Sequence, residues 1–267
     1  MIALYSFIKL ARYYKPINND FIRLAKLSVE SVSRFYKTKI YCDTESLELF
    51  TKNQIHFDEV VIIDEFIDDY KNHSSIGKIY AMMTETEPYI SFDLDIILFE
   101  KISTTHTIAY SHPEVIINET SRINELNWVN EKYHTPFNLH LKEFYTDTSH
   151  FNWTVYPCFC IVYVNNPLLI SSIYKDIFNR LPIDTIEKIP PLLLEQFLCH
   201  QYIIKYKTDF GFLSDNITIH NNFTLLDLVS KKYLHININN PNSKSIIKNL
   251  ETIFFNKSLN DNQKILI

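Results

Sequence analysis

Glycine is nearly missing from this 267-residue chain: Gly77 and Gly211 are the whole supply. Phosphate-cradling loops depend on spaced glycines, which let the backbone turn sharply and approach the phosphates. Neither a Walker loop nor a G-x-G-x-x-G fingerprint is therefore available. A nucleotide bound here must have its phosphates held another way, and a metal ion is the obvious substitute. Basic blocks are missing too. The formal net charge of -5 gives no general attraction to nucleic acid or anionic membranes. No apolar run reaches the length of a membrane span. The opening MIALYSFIKLARYY is apolar only briefly, with Lys9 and Arg12 after the apolar stretch rather than before it, unlike a secretory leader. These absences lead to the expectation of a soluble, cytoplasmic protein. Cysteine is scarce: Cys42, Cys158, Cys160 and Cys199. The C-x-C within CFCIVYV is a poor zinc signal, since structural sites usually pair C-x2-4-C units, so buried reduced thiols are expected. The N-x-[ST] triplets at Asn118, Asn152, Asn216, Asn222 and Asn256 read as chance in an Asn-rich chain.

What is present is an alternation of strand and helix signals in a chain that is 46% hydrophobic, enough for one substantial core. IALYSFI is a β-rich start. Asn18, Asn19 and Asp20 offer caps for FIRLAKLSVESVSRFY, in which Phe21, Leu24, Ala25, Ser28, Val32 and Phe35 follow one helical face. KTKIYCD reads as a strand, residues 46 to 51 as a short helix, and EVVIID as a continuous apolar strand. IGKIYAMMTETE reads as a helix stopped by Pro88, and PYISFD as the next strand. Residues 113 to 152 are polar, aromatic and irregular. CFCIVYVNN is a strong strand; residues 167 to 180 and 190 to 206 read as helices. KKYLHININN is a late strand and SIIKNLETIFF a closing helix. Strands separated by helices and apolar on both faces imply an α/β fold, a mostly parallel central sheet covered on both sides. A single domain with a more variable C-terminal half is the simplest account.

Two acids interrupt one of the most apolar of these stretches. Asp93 and Asp95 lie within PYISFDLDIILFEKI, at the carboxyl end of the fourth strand. Residues two apart in an extended chain point to one side, and a turn at that place still lets both converge. Paired buried carboxylates repel; a divalent cation with a taste for hard oxygen removes that cost. The end of a parallel strand is also where α/β sheets bind ligands. The plainer reading has one aspartate capping the next element and the other pairing with a lysine such as Lys101.

The run KIYAMMTETEPYISFDLDIILFEKI, residues 78 to 102, resembles the D-x-D region of GT-A type glycosyltransferases, which use sugar nucleotides. The resemblance implies a GT-A-like, Rossmann-related single domain over residues 1–267. Residues 1–102 would form the nucleotide-sugar half and residues 103–267 the acceptor side. It implies that Asp93 and Asp95 hold Mn²⁺ or Mg²⁺ against a diphosphate, with His235 of YLHIN brought to the metal. IALYSF resembles the first strand whose end lines the base pocket, which points to Tyr5 and Ser6. KIYCD resembles the second strand, whose closing acid near the nucleotide is Asp43. Lys78 would add positive charge near the phosphates; alternatively it is a solvated helix lysine. Glu195 and Gln196 resemble the acidic-Gln step near the acceptor and the reacting carbon. Glu195 would then be a general base or a sugar-orienting group, or else simply a carboxylate favoured near a helix N-terminus. The implied activity is transfer of a sugar, of the hexosyl-transferring class, from a UDP-sugar or related donor to a glycan or other hydroxyl-bearing acceptor.

Other residues invite weaker readings. Trp153 and Tyr156 suit stacking on a sugar ring, or rim packing. The acidic run DEFIDDY reads as a solvated loop, or a lid near the donor. His112, His134, His150, His200 and His220 fall in no pattern. Two competing functions remain: a D-x-D phosphatase or phosphotransferase, and a non-catalytic domain on the same fold. The first is disfavoured by Ile96, Ile97 and Leu98 following the pair and by three strands preceding it.

Overall fold

The computed structural model describes residues 1–8, 17–68, 70, 73, 75–117, 153–187, 189, 191, 193–213, 218–220, 232–236 and 243–255. Its centre is a seven-stranded sheet. Strands β1 (Ile2–Phe7), β2 (Lys37–Cys42), β3 (Glu59–Ile62) and β4 (Tyr89–Phe92) form the parallel half, in the order β4-β1-β2-β3. Two short strands follow β4 in the chain: β5 (Ile96–Leu98), outside this sheet, and β6 (Ile108–Tyr110). Beyond β4 the sheet continues with β9 (Ile161–Val164), then β6 and β10 (Phe210–Phe212). β9 is antiparallel to both β4 and β6, so it alone runs against the other strands of this sheet. The sheet thus draws strands from both the first 102 residues and the remainder.

Alternation along β1 explains why the sheet is covered on both sides. Ala3, Tyr5 and Phe7 enter one apolar layer, while Leu4 and Ile8 enter the other. The first layer meets helix α1 (Asn19–Ser33) through Ala25, Val29 and Val32. Asn18 caps this helix, accepting a hydrogen bond from the Phe21 N–H at 2.8 Å. The second layer meets α4 (Ile76–Thr84) through Ile79 and Met82, and α5 (Pro167–Arg180) through Ile170, Ile173 and Ile177. Gly77 is where α4 passes close to the end of β1: a Cβ there would stand 2.6 Å from Ile8 Cδ1.

Several elements depart from the sequence expectation. Helix α4 ends at Thr84, before Pro88 can act. Glu85 folds its carboxylate onto the N–H groups of Thr86 (2.9 Å) and Glu87 (3.2 Å) and turns the backbone extended. EVVIID is not a buried central strand. β3 lies at the sheet edge with Val60 38% and Ile62 44% exposed. The acidic run is not simply a loop: Asp64–Asp68 form the short helix α3, and Asp64 accepts hydrogen bonds from Thr44 N and Oγ1 at the start of α2 (Thr44–Lys52). CFCIVYV extends only from Ile161; the cysteines occupy the turn before it. The stretch read as irregular contains β7 (Pro113–Ile117), which joins β8 (Trp153–Pro157) and β11 (Thr218–His220) in a second sheet of three strands.

The late strand β12 (Tyr233–His235) is antiparallel to β5, with His235 opposite Ile96. Behind this ribbon, α8 (Ser243–Phe255) packs against α1, burying Leu24, Leu27, Ile97, Leu234, Ile247 and Leu250 together. Arg23 clamps the Glu251 carboxylate through two nitrogens, Nε at 2.7 Å and Nη2.

Candidate functional site

The parallel register brings several predicted residues to one edge. Leu4 is level with Ser91 and Ser6 with Tyr41, so Ser6, Asp43 and Asp93 all lie just at or past the carboxyl ends of β1, β2 and β4. Asp93 leaves β4 anchored by its N–H to the Cys160 carbonyl, 2.9 Å away. The chain then turns, with the Ile96 N–H returning to the Asp93 carbonyl at 3.3 Å, and β5 begins. Asp95 sits in this turn, and its carbonyl accepts from the Ile236 N–H at 3.0 Å. That bond carries the end of β12 to the acidic turn, and His235 Nε2 lies 3.4 Å from Asp95 Oδ2.

Lys78, on the first turn of α4, points its ammonium into the same place. It meets Asp93 Oδ1 at 2.7 Å, Glu195 Oε1 at 2.8 Å and the Phe159 carbonyl at 2.6 Å. An ammonium has three N–H donors, and here three acceptors surround it. Lys78 is thus a buried brace and not a solvated helix lysine. Burial works against its charge, but Asp93 and Glu195 raise its pKa well above the ordinary lysine value.

Glu195 and Gln196 belong to a π-helical stretch, Leu193–Leu198, which runs into α7 (Cys199–Lys205) after the short α6 (Ile183–Ile186). A plain helix was expected here. π turns carry an extra residue in the ring and are frequent at functional sites. Both side chains are buried, and the Tyr174 hydroxyl fixes the turn by donating to the Glu195 carbonyl at 2.8 Å.

Among the described residues, three buried side-chain atoms lack a hydrogen-bond partner: His73 Nδ1, Asp95 Oδ1 and Gln196 Oε1. Buried polar atoms are nearly always satisfied, so such exceptions call for an explanation. Two of the three belong to residues singled out from the sequence.

Charge is concentrated at the acidic turn. Asp93 and Glu195 flank one ammonium, and the Asp95 charge acts on Asp93 from the other side of the turn. Asp93 is pushed up to about 7, first by loss of water; Lys78 opposes this, and Asp95 and Glu195 add to it. Its side chain is still 41% exposed, so an incoming ion can reach it. His235 loses charge stability by burial, yet Cys160 and Asp95 win and raise its pKa.

The other predicted residues are placed differently. Tyr5 is fully enclosed, with its ring against Phe57 and Phe92 and its hydroxyl 3.4 Å from Ser28 Oγ. In this position it packs the core and offers a ligand no face. Ser6, one residue on, is half-buried at the edge. Asp43 is buried and caps α2, accepting from the Ser46 N–H at 2.9 Å. The side chains of Trp153 and Tyr156, together with His134 and His150, lie outside what the structure describes.

Sequence reasoning missed the Lys78–Glu195 contact, which joins residues far apart in the chain and leaves no local pattern. It also missed the partners of the cysteines: His112 follows β6 and reaches Cys158 and Cys160 only because β6 and β9 pair.

No protein-family model and no curated protein sequence matches the chain. Solved structures offer remote likenesses. Mouse xyloside xylosyltransferase 1 in its apo form is 13% identical, with 90% of this chain and 98% of that one covered and a TM-score of 0.37. The inositol-1-phosphate CTP transferase from T. maritima is 9% identical, covering 97% of each chain, with a TM-score of 0.44. The glycosyltransferase GlyE of Streptococcus pneumoniae TIGR4 is 14% identical over 80% of this chain and 45% of that one, with a TM-score of 0.37. At such values they define neither a family nor an activity.

Proposed function

We propose that the protein is a metal-dependent glycosyltransferase that moves a sugar from a nucleotide-diphosphate donor, a UDP-sugar in particular, to a hydroxyl of a glycan or other acceptor. One observation carries this reading. Asp93 and Asp95 terminate the buried strand β4, and Asp95 keeps a buried oxygen without a partner while its other oxygen faces His235.

The donor set fits Mn²⁺ or Mg²⁺. Two carboxylates supply hard oxygens, and an imidazole is a ligand that manganese accepts readily. The orphaned Asp95 Oδ1 is the atom a cation would satisfy. Such an ion, when bound, supplies Lewis-acid stabilisation of the charge gathering on a departing diphosphate. The chain offers no glycine loop for those phosphates, and a metal at the acidic turn would take its place.

The chain's own groups have separable duties. Lys78 keeps Asp93 and Glu195 from repelling each other and fixes where both point. Glu195 spends Oε1 on Lys78, so its other oxygen is the one that would take the acceptor's proton. Gln196, with an unpartnered Oε1, can accept a hydrogen bond from a sugar hydroxyl. Ser6 and Asp43 border the nucleotide side. Residues 1–102 would hold the donor and residues 103–267 the acceptor, meeting where Lys78 touches Glu195.

The experiment is a thermal-shift and nucleotide-release panel of UDP- and GDP-sugars, with Mn²⁺ or with chelator. The expected result is stabilisation by one nucleotide only when metal is present, lost in Asp93→Ala and Asp95→Ala. No metal-dependent shift with any nucleotide would overturn the proposal. Turnover of p-nitrophenyl phosphate without a sugar-nucleotide effect would do so in favour of a phosphatase.

A further inference from the structure

Beside the acidic turn lies a cluster of different chemistry. His112, Cys158 and Cys160 are all buried, and their ligand atoms lie within 4.8 Å of one another. We propose that these three residues bind a structural zinc ion, separate from the hard-cation site at Asp93 and Asp95.

The donors are the right kind. Two thiolates and an imidazole are the ligands zinc prefers, and hard cations such as Mg²⁺ avoid them. The spacing is close to what zinc needs. Bond lengths of about 2.3 Å to sulfur and about 2.0 Å to nitrogen place tetrahedral donors roughly 3.5–3.8 Å apart. Drawing the present atoms together requires side-chain movements of about 1 Å or less by that comparison. The elements are held already: the Cys158 N–H bonds the His112 carbonyl at 2.9 Å, and the Ser111 N–H bonds the Ile161 carbonyl at 2.9 Å.

The surroundings of His112 suit a ligand. Metal-binding imidazoles direct their second nitrogen to an oxygen that fixes the ring. The Tyr233 hydroxyl donates to the Ser111 carbonyl at 2.9 Å, so it is a lone pair that faces His112 Nδ1 at 3.5 Å. The His112 ring also hydrogen-bonds the Cys160 sulfur, so a metal would take the place of that contact. Two further groups touch the Cys160 sulfur, Ser111 Oγ at 3.1 Å and the His235 imidazole. His235 belongs to the acidic turn through Asp95, so water completes the shell of the zinc ion.

The site would have a purpose. The turn bearing the two cysteines offers the Phe159 carbonyl to Lys78 and the Cys160 carbonyl to the Asp93 N–H. A zinc ion held by the cysteines on either side of Phe159 would lock both anchors of the acidic turn.

The test is metal analysis of the full chain purified without chelator, followed by removal of metal under reducing conditions and titration with cobalt(II). The expected results are close to one zinc per chain, and a sulfur-to-cobalt charge-transfer absorption with the intense visible bands of tetrahedral cobalt. That absorption should vanish in Cys158→Ser and Cys160→Ser and persist in Cys42→Ser and Asp95→Asn. Substoichiometric zinc together with no thiolate-to-cobalt absorption in the wild-type chain overturns the proposal, whatever the variants do. Absorption that survives the double serine variant, or disappears in Asp95→Asn, overturns it equally.

Discussion

Lys78 Nζ stands 2.8 Å from Glu195 Oε1, a contact between the helix that feeds the Asp93 strand and a π turn much later in the chain. Both side chains are only 9% exposed. Removing one partner of a buried ion pair strands the other charge, at a cost of about 3–5 kcal/mol. Here the loss of the ammonium strands the buried Glu195 carboxylate and also unpairs the more exposed Asp93. Lys78→Met should therefore lower the unfolding free energy by at least about 3 kcal/mol. Urea denaturation measures this; a change within about 0.5 kcal/mol, as for an ordinary surface lysine, would contradict the brace.

Asp95 predicts the opposite balance. Its Oδ1 has no hydrogen-bond partner and its Oδ2 reaches only as far as His235, at 3.4 Å. A residue kept for a ligand contributes little to the empty fold, and its replacement is often neutral for stability. Asp95→Asn should change stability by less than about 1 kcal/mol while weakening Mn²⁺ binding at least about tenfold, a loss of about 1.4 kcal/mol. Paired denaturation and metal titration separate the two effects. A large stability loss with unchanged metal affinity would make Asp95 a structural residue.

The pattern of what the sequence discloses follows from the range of the forces involved. The Asp93–Asp95 pair stands out in the sequence because two charges in an apolar run conflict with it locally. α1 was legible because its cap and its apolar face are both local signals. The early end of α4 was not, since a proline three residues on is louder than Glu85 folding onto its own neighbours. The edge position of β3 was hidden as well: Val60 and Ile62 look like core residues, and only the strand order leaves them at the rim. β7 went unseen because its partners β8 and β11 are distant in sequence and its surroundings lack period-two alternation. The C-x-C was visible but its neighbour was not, because His112 reaches it from the segment after β6.

His200 weakens the fold as pH falls. It is buried against Tyr110 and Phe210, and Nδ1 is 3.0 Å from the Tyr110 hydroxyl. Burial pulls its pKa down to about 3. In the unfolded chain the same ring takes a proton near pH 6.5. Above that pH neither state is charged and His200 costs nothing. As pH falls from 6.5 toward 3, only the unfolded state binds the proton, so stability declines by about 1.4 kcal/mol per unit. His73, also lowered by burial, acts in the same direction. Between pH 6.5 and 5 the His200 contribution is a loss of roughly 2 kcal/mol, which His200→Gln should remove. Unfolding curves at the two pH values test it; parallel losses in wild type and variant would show that His200 is not the group responsible.

The last prediction concerns action at a distance. His235 reaches Asp95 because β12 is pinned to β5, and that ribbon rests on a layer formed by α1 and α8. Ile247, fully buried in the layer with Leu234 and Ile236 of the β12 segment, touches none of the acidic residues by hydrogen bond or charge. Truncation to alanine should cost about 2–5 kcal/mol through lost burial and the cavity left behind. Leu234 and Ile236 flank His235, so their loosened support should also weaken Mn²⁺ binding by a few-fold. Leu181→Ala, in the apolar layer on the opposite side of the sheet, should cost similar stability and leave metal affinity unchanged. Equal effects of the two substitutions on metal binding would mean that global loosening, not the β12 support, governs the position of His235.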